Sequence, residues 1–268
     1  MIPCALQSTF PANEYEGQFK NYMGARVTPE VKDNIDALNV HLVPWTYDDK
    51  GRQISVHPEH PYCGMRGIFN DIKFRDQNLP NLPIYVSEWG WDSPGGNEDC
   101  VHGECVSERA QALYAVRGAL MLARVGIDRA TWYFFANENK GSSLFTRSGL
   151  VSSLSANFQI KQAFIAWKAM VHHLGDKHFQ SILKEDDEAW VYVVGDKNGK
   201  ATHLVAWQPI DAENKTSTKI YVPTKYQAAA AFALEGKRNL GEKVATPISK
   251  NGKMEIQVSA VPVVIQLK

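Results

Sequence analysis

The feature that most constrains this chain is an alternation of short apolar runs with amphipathic stretches through its first two thirds, which is typical of β-α-β-α structure. Four apolar runs are candidate strands, at residues 2–6, 35–43, 82–88 and 130–135. Apolar residues at helical spacing follow the runs, at residues 15–23, 65–72, 113–120 and 160–174. Ser107 is a candidate N-cap for the third of these helices, and Gly126 ends it. We therefore predict four β/α units within residues 1–174.

The pattern changes after Gly175, where helical spacing is no longer sustained. Apolar runs at residues 190–194 and 203–207 flank a turn sequence at residues 196–199, and this combination predicts a β-hairpin. Further candidate strands lie at residues 219–222, 229–234, 254–258 and 261–267. We predict a small all-β domain over residues 175–268, within the size range of a sandwich.

The charge balance and the motifs exclude several classes of protein. Basic and acidic residues number 29 each, so the chain lacks the excess positive charge of a nucleic-acid binder. No apolar run reaches the roughly 18 residues of a transmembrane helix, and the first residues lack the pattern of a signal peptide. No Gly-rich dinucleotide or phosphate loop and no Gly-x-Ser-x-Gly motif is present. We expect a globular protein with no cofactor and with no nucleic-acid or membrane partner.

Glu88 is the strongest candidate for a chemical role. It ends the third apolar run and is followed by Trp89, Gly90 and Trp91. Indole rings offer flat apolar faces to a sugar, and a carboxylate can attack or stabilise an oxocarbenium-like centre. A structural salt bridge at the end of a strand is the alternative interpretation of Glu88.

These residues resemble clan A glycoside hydrolases, the retaining (β/α)8 enzymes. Residues 87–93, Ser-Glu-Trp-Gly-Trp-Asp-Ser, are similar to the nucleophile segment of their seventh strand. Residues 39–41 with Pro44 and Trp45 look like the sixth-strand end, and residues 130–135 look like the eighth strand. Gly149-Leu150, the helix that follows and the β-rich tail ending in residues 262–265 are similar to the last helix and accessory β-sandwich of several such families.

The resemblance implies a fold and a truncation. It identifies residues 1–174 as a partial (β/α)8 TIM barrel of about four C-terminal β/α units, followed by the β-sandwich at 175–268. A complete barrel normally needs about 250 residues, and an open four-stranded doubly wound sheet is the alternative for the first part. Half a barrel leaves two open sheet edges, so we expect either a truncated chain or self-association through those edges.

The resemblance also assigns roles to individual residues. Glu88 is implied to be the nucleophile, and His41 to donate a hydrogen bond to a sugar hydroxyl or to Glu88. A buried histidine satisfied by the backbone is the alternative for His41. Four indoles are candidate stacking platforms for substrate, with Trp91 and Trp132 preferred: Trp45, Trp89, Trp91 and Trp132.

The general acid/base is the part of the pattern that does not match. In these families it is a Glu, usually after an Asn, at the end of the fourth strand, and the strands one to four are not represented here. Asn137-Glu138 is an Asn-Glu pair, but it follows the predicted eighth strand. We interpret Asn137 and Glu138 as loop residues that contact substrate, and we expect this chain alone to hydrolyse glycosides poorly or not at all.

The cysteines bear on the cellular compartment. Cys100 and Cys105 close a short loop after the Glu88 segment, and a disulfide there is the first prediction. It would imply an oxidising compartment, and hence an extracytoplasmic location for a full-length parent protein. Zinc bound by Cys100, His102 and Cys105, or by a second set at residues 57, 60 and 63, is the alternative. We favour no metal.

The function predicted from the sequence is therefore that of a retaining O-glycosidase acting on an oligo- or polysaccharide, in a form that lacks its acid/base half. A non-catalytic carbohydrate-binding protein, a half-barrel dimer and a metal-dependent barrel enzyme are the alternatives.

Overall fold

A computed structural model describes residues 6–8, 28–95, 98–100, 103, 105–139 and 145–268. The first part of the chain contains, in order, β1 (Leu6–Ser8), α1 (Pro29–Asn34), β2 (Leu38–Leu42), β3 (Trp45–Tyr47), β4 (Gln53–Ser55), α2 (Ile68–Asn78), β5 (Ile84–Trp89), α3 (Glu108–Arg124), β6 (Arg129–Trp132) and α4 (Gln162–Leu174). Short 3-10 helices span Gly64–Gly67 and Leu154–Ala156. The helix predicted at residues 15–23 lies outside the described residues.

Four parallel strands form the sheet of this first part, in the order β1-β2-β5-β6. Each pair is joined through a helical connection, as parallel pairing requires. Strands β2 and β5 bury Leu38, Val40, Ile84 and Val86 in a core shared with α3. The other face of β2 carries Asn39 and His41, which are only half-buried. The sheet therefore has one face covered by helices and one more open face.

Strand β6 corrects a prediction. The strand predicted at residues 130–135 ends at Trp132 in the structure, and of β6 only Trp132 is buried, while Arg129 to Thr131 are exposed. The physical reason is position: within the described chain β6 is the last strand of the sheet, so it has a partner only on the β5 side. Phe135, just beyond it, is 64% exposed.

The rest of the chain consists of strands: β7 (His178–Glu185), β8 (Trp190–Gly195), β9 (Ala201–Trp207), β10 (Ser217–Pro223), β11 (Ala228–Ala233), β12 (Glu242–Val244), β13 (Ile248–Lys250), β14 (Lys253–Ser259) and β15 (Val263–Leu267). The hairpin predicted around residues 196–199 is β8-β9. A six-stranded sheet of order β12-β11-β15-β9-β8-β7 packs on a three-stranded sheet of order β10-β14-β13. This is a β-sandwich arrangement.

The six-stranded sheet also has an inner face toward the α/β part. On β8, Val191 and Val193 face the sandwich core, while Trp190 and Tyr192 belong to the same core cluster as α3 and α4. Burial on both faces explains why residues 190–194 form a continuous apolar run without alternation. None of the helices that the structure describes is long and apolar enough to cross a membrane.

Candidate active site

An irregularity in strand pairing creates the candidate site. Val40 on β2 pairs with Val86 on β5, but the next residue, His41, pairs with Glu88, so Ser87 is an extra residue in β5. Such a bulge interrupts the alternation of side chains along the strand. As a result, Ser87 and Glu88, although adjacent in sequence, both contact His41.

His41 links the two side chains at hydrogen-bond distances. Its Nδ1 lies 3.2 Å from Glu88 Oε2, and its Nε2 lies 3.0 Å from Ser87 Oγ. The Glu88 side chain is 45% exposed. Glu88 thus lies near the C-terminal end of a parallel strand, contacts one imidazole and remains open to solvent, which suits a carboxylate that reacts with a bound molecule.

A pocket of about 110 Å³ opens over Glu88. It is lined by His41, Leu42, Val43, Glu88, Trp89, Gly90, Tyr133, Phe145 and Ser148. Burial raises the pKa of the Tyr133 hydroxyl, and the neighbouring carboxylates Glu88, Glu138 and Asp92 add to that rise. Tyr133 therefore keeps its proton at neutral pH and can act as a hydrogen-bond donor in this pocket.

Ser148 connects the pocket to a buried polar cluster below it. Its hydroxyl donates a hydrogen bond to Asp92, whose carboxyl is buried. Burial raises the pKa of Asp92, and the hydrogen bond from Ser148 opposes that rise. Asp92 is thus a structural acceptor at the base of the pocket, since the side chains around it cover it.

The four indoles named from the sequence lie in the interior. Trp45, Trp89, Trp91 and Trp132 are each no more than 9% exposed. The Trp91 ring donates to the Val56 carbonyl at 3.0 Å, and the Trp132 ring donates to the Ser148 carbonyl at 2.8 Å. Stacking on a sugar requires an uncovered ring face. Of these four indoles only Trp89 lines the pocket, and sugar stacking stays a prediction from the sequence.

Asn137 and Glu138 lie in different surroundings. The Asn137 side chain is buried, where it donates to Glu98 Oε2 at 2.9 Å and accepts from the Gly149 amide at 2.9 Å. The Glu138 side chain is exposed, and its negative charge helps to raise the pKa of the Tyr133 hydroxyl. Glu138 thus lies at the side of the site, while Asn137 orders the loop that carries Ser148.

Tyr133, Phe145 and Ser148 are pocket residues that the sequence interpretation did not select. Tyr133 directly follows Trp132, and the alternation of side chains along a strand directs neighbouring residues to opposite faces. The buried Trp132 could therefore have pointed to Tyr133 as the residue on the pocket side. Nothing in the sequence singles out Phe145 or Ser148.

The cysteine loop is closed by a bond between Cys100 and Cys105, with Cα atoms 5.5 Å apart. His102, the third proposed zinc ligand, lies outside the described residues. Within the described ranges, no three His, Cys, Asp or Glu side chains are grouped so as to hold a metal ion. Cys63, from the second proposed set, is buried in the core.

Comparisons with known proteins reveal similarity in structure but not in sequence. No protein-family model matches the chain, and no curated protein matches it either. A family 39 glycoside hydrolase from the gut symbiont Bacteroides cellulosilyticus WH2 superposes with a TM-score of 0.65 at 18% identity, over 92% of this chain and 47% of that chain. A family 30 endoxylanase from Clostridium papyrosolvens C71 gives a TM-score of 0.54 at 11% identity, over 98% and 55% of the two chains.

A family 30 subfamily 8 xylanase from Clostridium acetobutylicum gives a TM-score of 0.53 at 10% identity, over all of this chain and 55% of the other. The chain thus spans about half the length of the solved structures that it matches. At these identities the similarity establishes the fold, as the sequence resemblance predicted. The chain has the fold of clan A glycoside hydrolases, as a partial (β/α)8 barrel with a β domain.

Proposed function

We propose that this chain carries the nucleophile half of a retaining O-glycosidase and that Glu88 is the nucleophile. The observation that supports the proposal best is the half-exposed Glu88 carboxylate, which lies near the C-terminal end of a parallel strand beside His41 in an open pocket. In barrel enzymes the active site lies at this end of the strands. The catalytic part would comprise residues 1–174, and the accessory sandwich residues 175–268.

In this mechanism Glu88 attacks the anomeric carbon and forms a covalent glycosyl ester as the glycosidic bond breaks. The bonding electrons leave with the aglycone oxygen, which takes a proton from a second carboxyl group. Water then attacks the same carbon, gives one proton to the now ionised second carboxyl group, and releases the sugar and the free Glu88 carboxylate. The His41 Nδ1–H stabilises the carboxylate before attack, and Tyr133 supplies a further donor in the pocket.

The second carboxyl group is not part of the described pocket. Among the described lining residues, Glu88 is the one carboxylate, whereas retention requires a pair about 5–5.5 Å apart. We therefore propose, as the sequence resemblance implies, that the acid/base lies outside the described pocket. Glycosides with poor leaving groups should not be turned over by the chain alone, since their departing oxygen needs the missing proton.

A glycoside with an acidic leaving group tests the nucleophile without the acid. Because the matched family 30 structures are xylanases, the first probe is a dinitrophenyl xyloside with fluorine beside the anomeric carbon, which forms a long-lived ester. Intact-mass measurement of the chain should show one added fluoroxylosyl group, and peptide mapping should locate it at Glu88. A fluoroglucosyl probe extends the test to another sugar.

Glu88→Gln should abolish labelling, while Glu242→Gln, a matched control at an exposed position in β12 of the sandwich, should retain it. Labelling that survives in Glu88→Gln would remove Glu88 as the nucleophile. Rapid turnover of unactivated aryl glycosides by the purified chain would instead contradict the missing acid/base. Sugar binding that persists in Glu88→Gln with no adduct in either protein would favour the non-catalytic carbohydrate-binding alternative.

A further inference from the structure

The contact between Ser87 and His41 has no role in the mechanism above. The two atoms nearest each other are Ser87 Oγ and His41 Nε2, at 3.0 Å. The opposite ring nitrogen, Nδ1, is 3.2 Å from Glu88 Oε2. The order is therefore hydroxyl, imidazole, carboxylate, with the imidazole in contact with both of its neighbours.

The chemistry of the two contacts determines where the imidazole proton lies. An ionised carboxylate only accepts hydrogen bonds, so Nδ1 must carry a hydrogen to bond with Glu88. A neutral imidazole then has no hydrogen on Nε2, which becomes an acceptor. Since a serine hydroxyl can donate, the Ser87 O–H satisfies Nε2 in this tautomer, whereas in the other tautomer the Nδ1 lone pair would face the carboxylate.

Ser87 reaches this position because of the strand irregularity. It is the extra residue of β5 between the pairs Val40–Val86 and His41–Glu88. In a regular strand Ser87 and Glu88 would point to opposite faces of the sheet. Ser87 is not among the described residues that line the pocket. Its hydroxyl is therefore placed to orient the imidazole rather than to attack a bound substrate.

We infer that Ser87 is a positioning residue that holds His41 in the tautomer with its proton on Nδ1, so that the imidazole donates to Glu88. The inference rests on the proposed function for its consequence, because a donor at Nδ1 holds the Glu88 carboxylate in position beside the pocket. The tautomer itself is a property of the free chain, so it can be measured whether or not the chain reacts with any glycoside.

The test is the pair of ¹⁵N chemical shifts of the His41 ring, recorded at mildly alkaline pH. The His41→Gln variant identifies the signals among those of the 8 histidines. The expected spectrum has a protonated Nδ1 and an unprotonated Nε2. Ser87→Ala should move the two shifts toward each other, and Ser87→Thr, which keeps the hydroxyl, should restore them. Ser181→Ala, at an exposed strand serine in β7, is the matched control and should leave them unchanged.

A His41 spectrum in Ser87→Ala identical to the parent spectrum would overturn the inference, and so would a parent spectrum with the proton on Nε2. In the labelling experiment, Ser87→Ala should slow ester formation about fivefold, as expected for loss of one ordinary hydrogen bond, and Ser87→Thr should recover it. Absence of labelling in every protein, with the expected shifts still observed, would refute the proposed function and leave the tautomer assignment standing.

Discussion

Gly90 shows how closely the backbone of the site is packed. It follows Trp89 in the chain, and the Trp89 carbonyl accepts a hydrogen bond from the Tyr133 amide at 2.8 Å. A Cβ atom at Gly90 would lie 2.5 Å from the Tyr133 carbonyl oxygen, inside van der Waals contact with the backbone. The segment that carries Tyr133 can approach β5 only because residue 90 has no side chain.

We therefore expect Gly90→Ala to displace Tyr133 from the pocket. A contact with backbone cannot be relieved by rotating a side chain, so overpacking should cost about 1–3 kcal/mol of unfolding free energy. Labelling of Glu88 should fall more than stability alone explains, since the pocket loses its shape. Urea unfolding and the labelling rate measured on the same protein check both effects. Unchanged stability with normal labelling would contradict the geometry.

The same residues explain which parts of the site the sequence could predict. Glu88 is a candidate because it ends an apolar run, and His41 because residues 39–41 resemble the end of the sixth strand; parallel strands end at the same edge of a sheet, so the two were expected to lie close together. The sequence could not predict which of Glu88 and Trp89 points toward the pocket and which toward the core. Side chains alternate along a regular strand, so the buried Val86 would predict a buried Glu88 and a Trp89 on the pocket side. The extra residue in β5 shifts this alternation by one, so Trp89 is buried and Glu88 faces the pocket.

At the scale of elements, a buried ion pair joins α3 to the loop after β4 and to the sandwich. The Glu59 carboxylate accepts hydrogen bonds from Arg117 Nε at 2.9 Å, from the Trp207 ring at 2.7 Å and from His57 Nδ1 at 3.0 Å. Arg117 also donates to the Ile210 carbonyl at 2.8 Å. These contacts satisfy both charges where three segments of the chain meet.

Glu59→Gln should destabilise the chain by about 3–5 kcal/mol, because it leaves the Arg117 charge buried without a counter-charge. The control is Glu255→Gln, which removes the exposed pair with Lys219 and should have little effect.

Burial alone raises the pKa of Glu59, but Arg117 and His57 outweigh it and lower the pKa to about 2. The stabilisation of the folded chain by the ionised Glu59 is therefore complete above about pH 4.5, and it is lost as the pH falls toward 2. Equal urea midpoints for the two variants would refute this role.

Helix α4 illustrates what periodicity can and cannot predict about an element. Its existence was predicted, but two residues of the apolar stripe, Ile160 and Val171, are 61% and 51% exposed. Half of the buried residues of this helix are alanines: Ala163, Ala166 and Ala169. Alanines allow α3 and α4 to pack closely. The apolar stripe was identified from large side chains, so it did not include these alanines. The β3–β4 hairpin was likewise missed, because its strands are only three residues long.

At the scale of the whole molecule, the α/β part and the sandwich share one core cluster, to which both α3 and β8 contribute. The parallel sheet ends at β1 on one side and β6 on the other among the described strands. The matched glycoside hydrolases are about twice as long. Self-association through these two edges stays a prediction from the sequence.

Lys161 couples the stability of the whole chain to pH. It precedes α4, is 1% exposed, and its Nζ donates to the Ser93 carbonyl at 3.0 Å and to the Arg147 carbonyl at 2.9 Å. Burial lowers its pKa to about 7, although the nearby carboxylates Glu108 and Asp92 oppose the change. The folded chain therefore releases this proton near pH 7, whereas the unfolded chain keeps it up to about pH 10.5.

Between these two values the unfolded state binds more protons at this site than the folded state, so the free energy of unfolding should rise with pH. Each pKa unit corresponds to about 1.4 kcal/mol, so about 5 kcal/mol is the upper limit of the rise between pH 7 and 10.5. Lys161→Met keeps the length of the side chain and removes the titrating group, so its stability should change less with pH. Urea unfolding of both proteins at intervals from pH 7 to about 9.5, below the range where tyrosines titrate, measures the difference. Parallel curves for the two proteins would show that Lys161 stays charged in the folded chain.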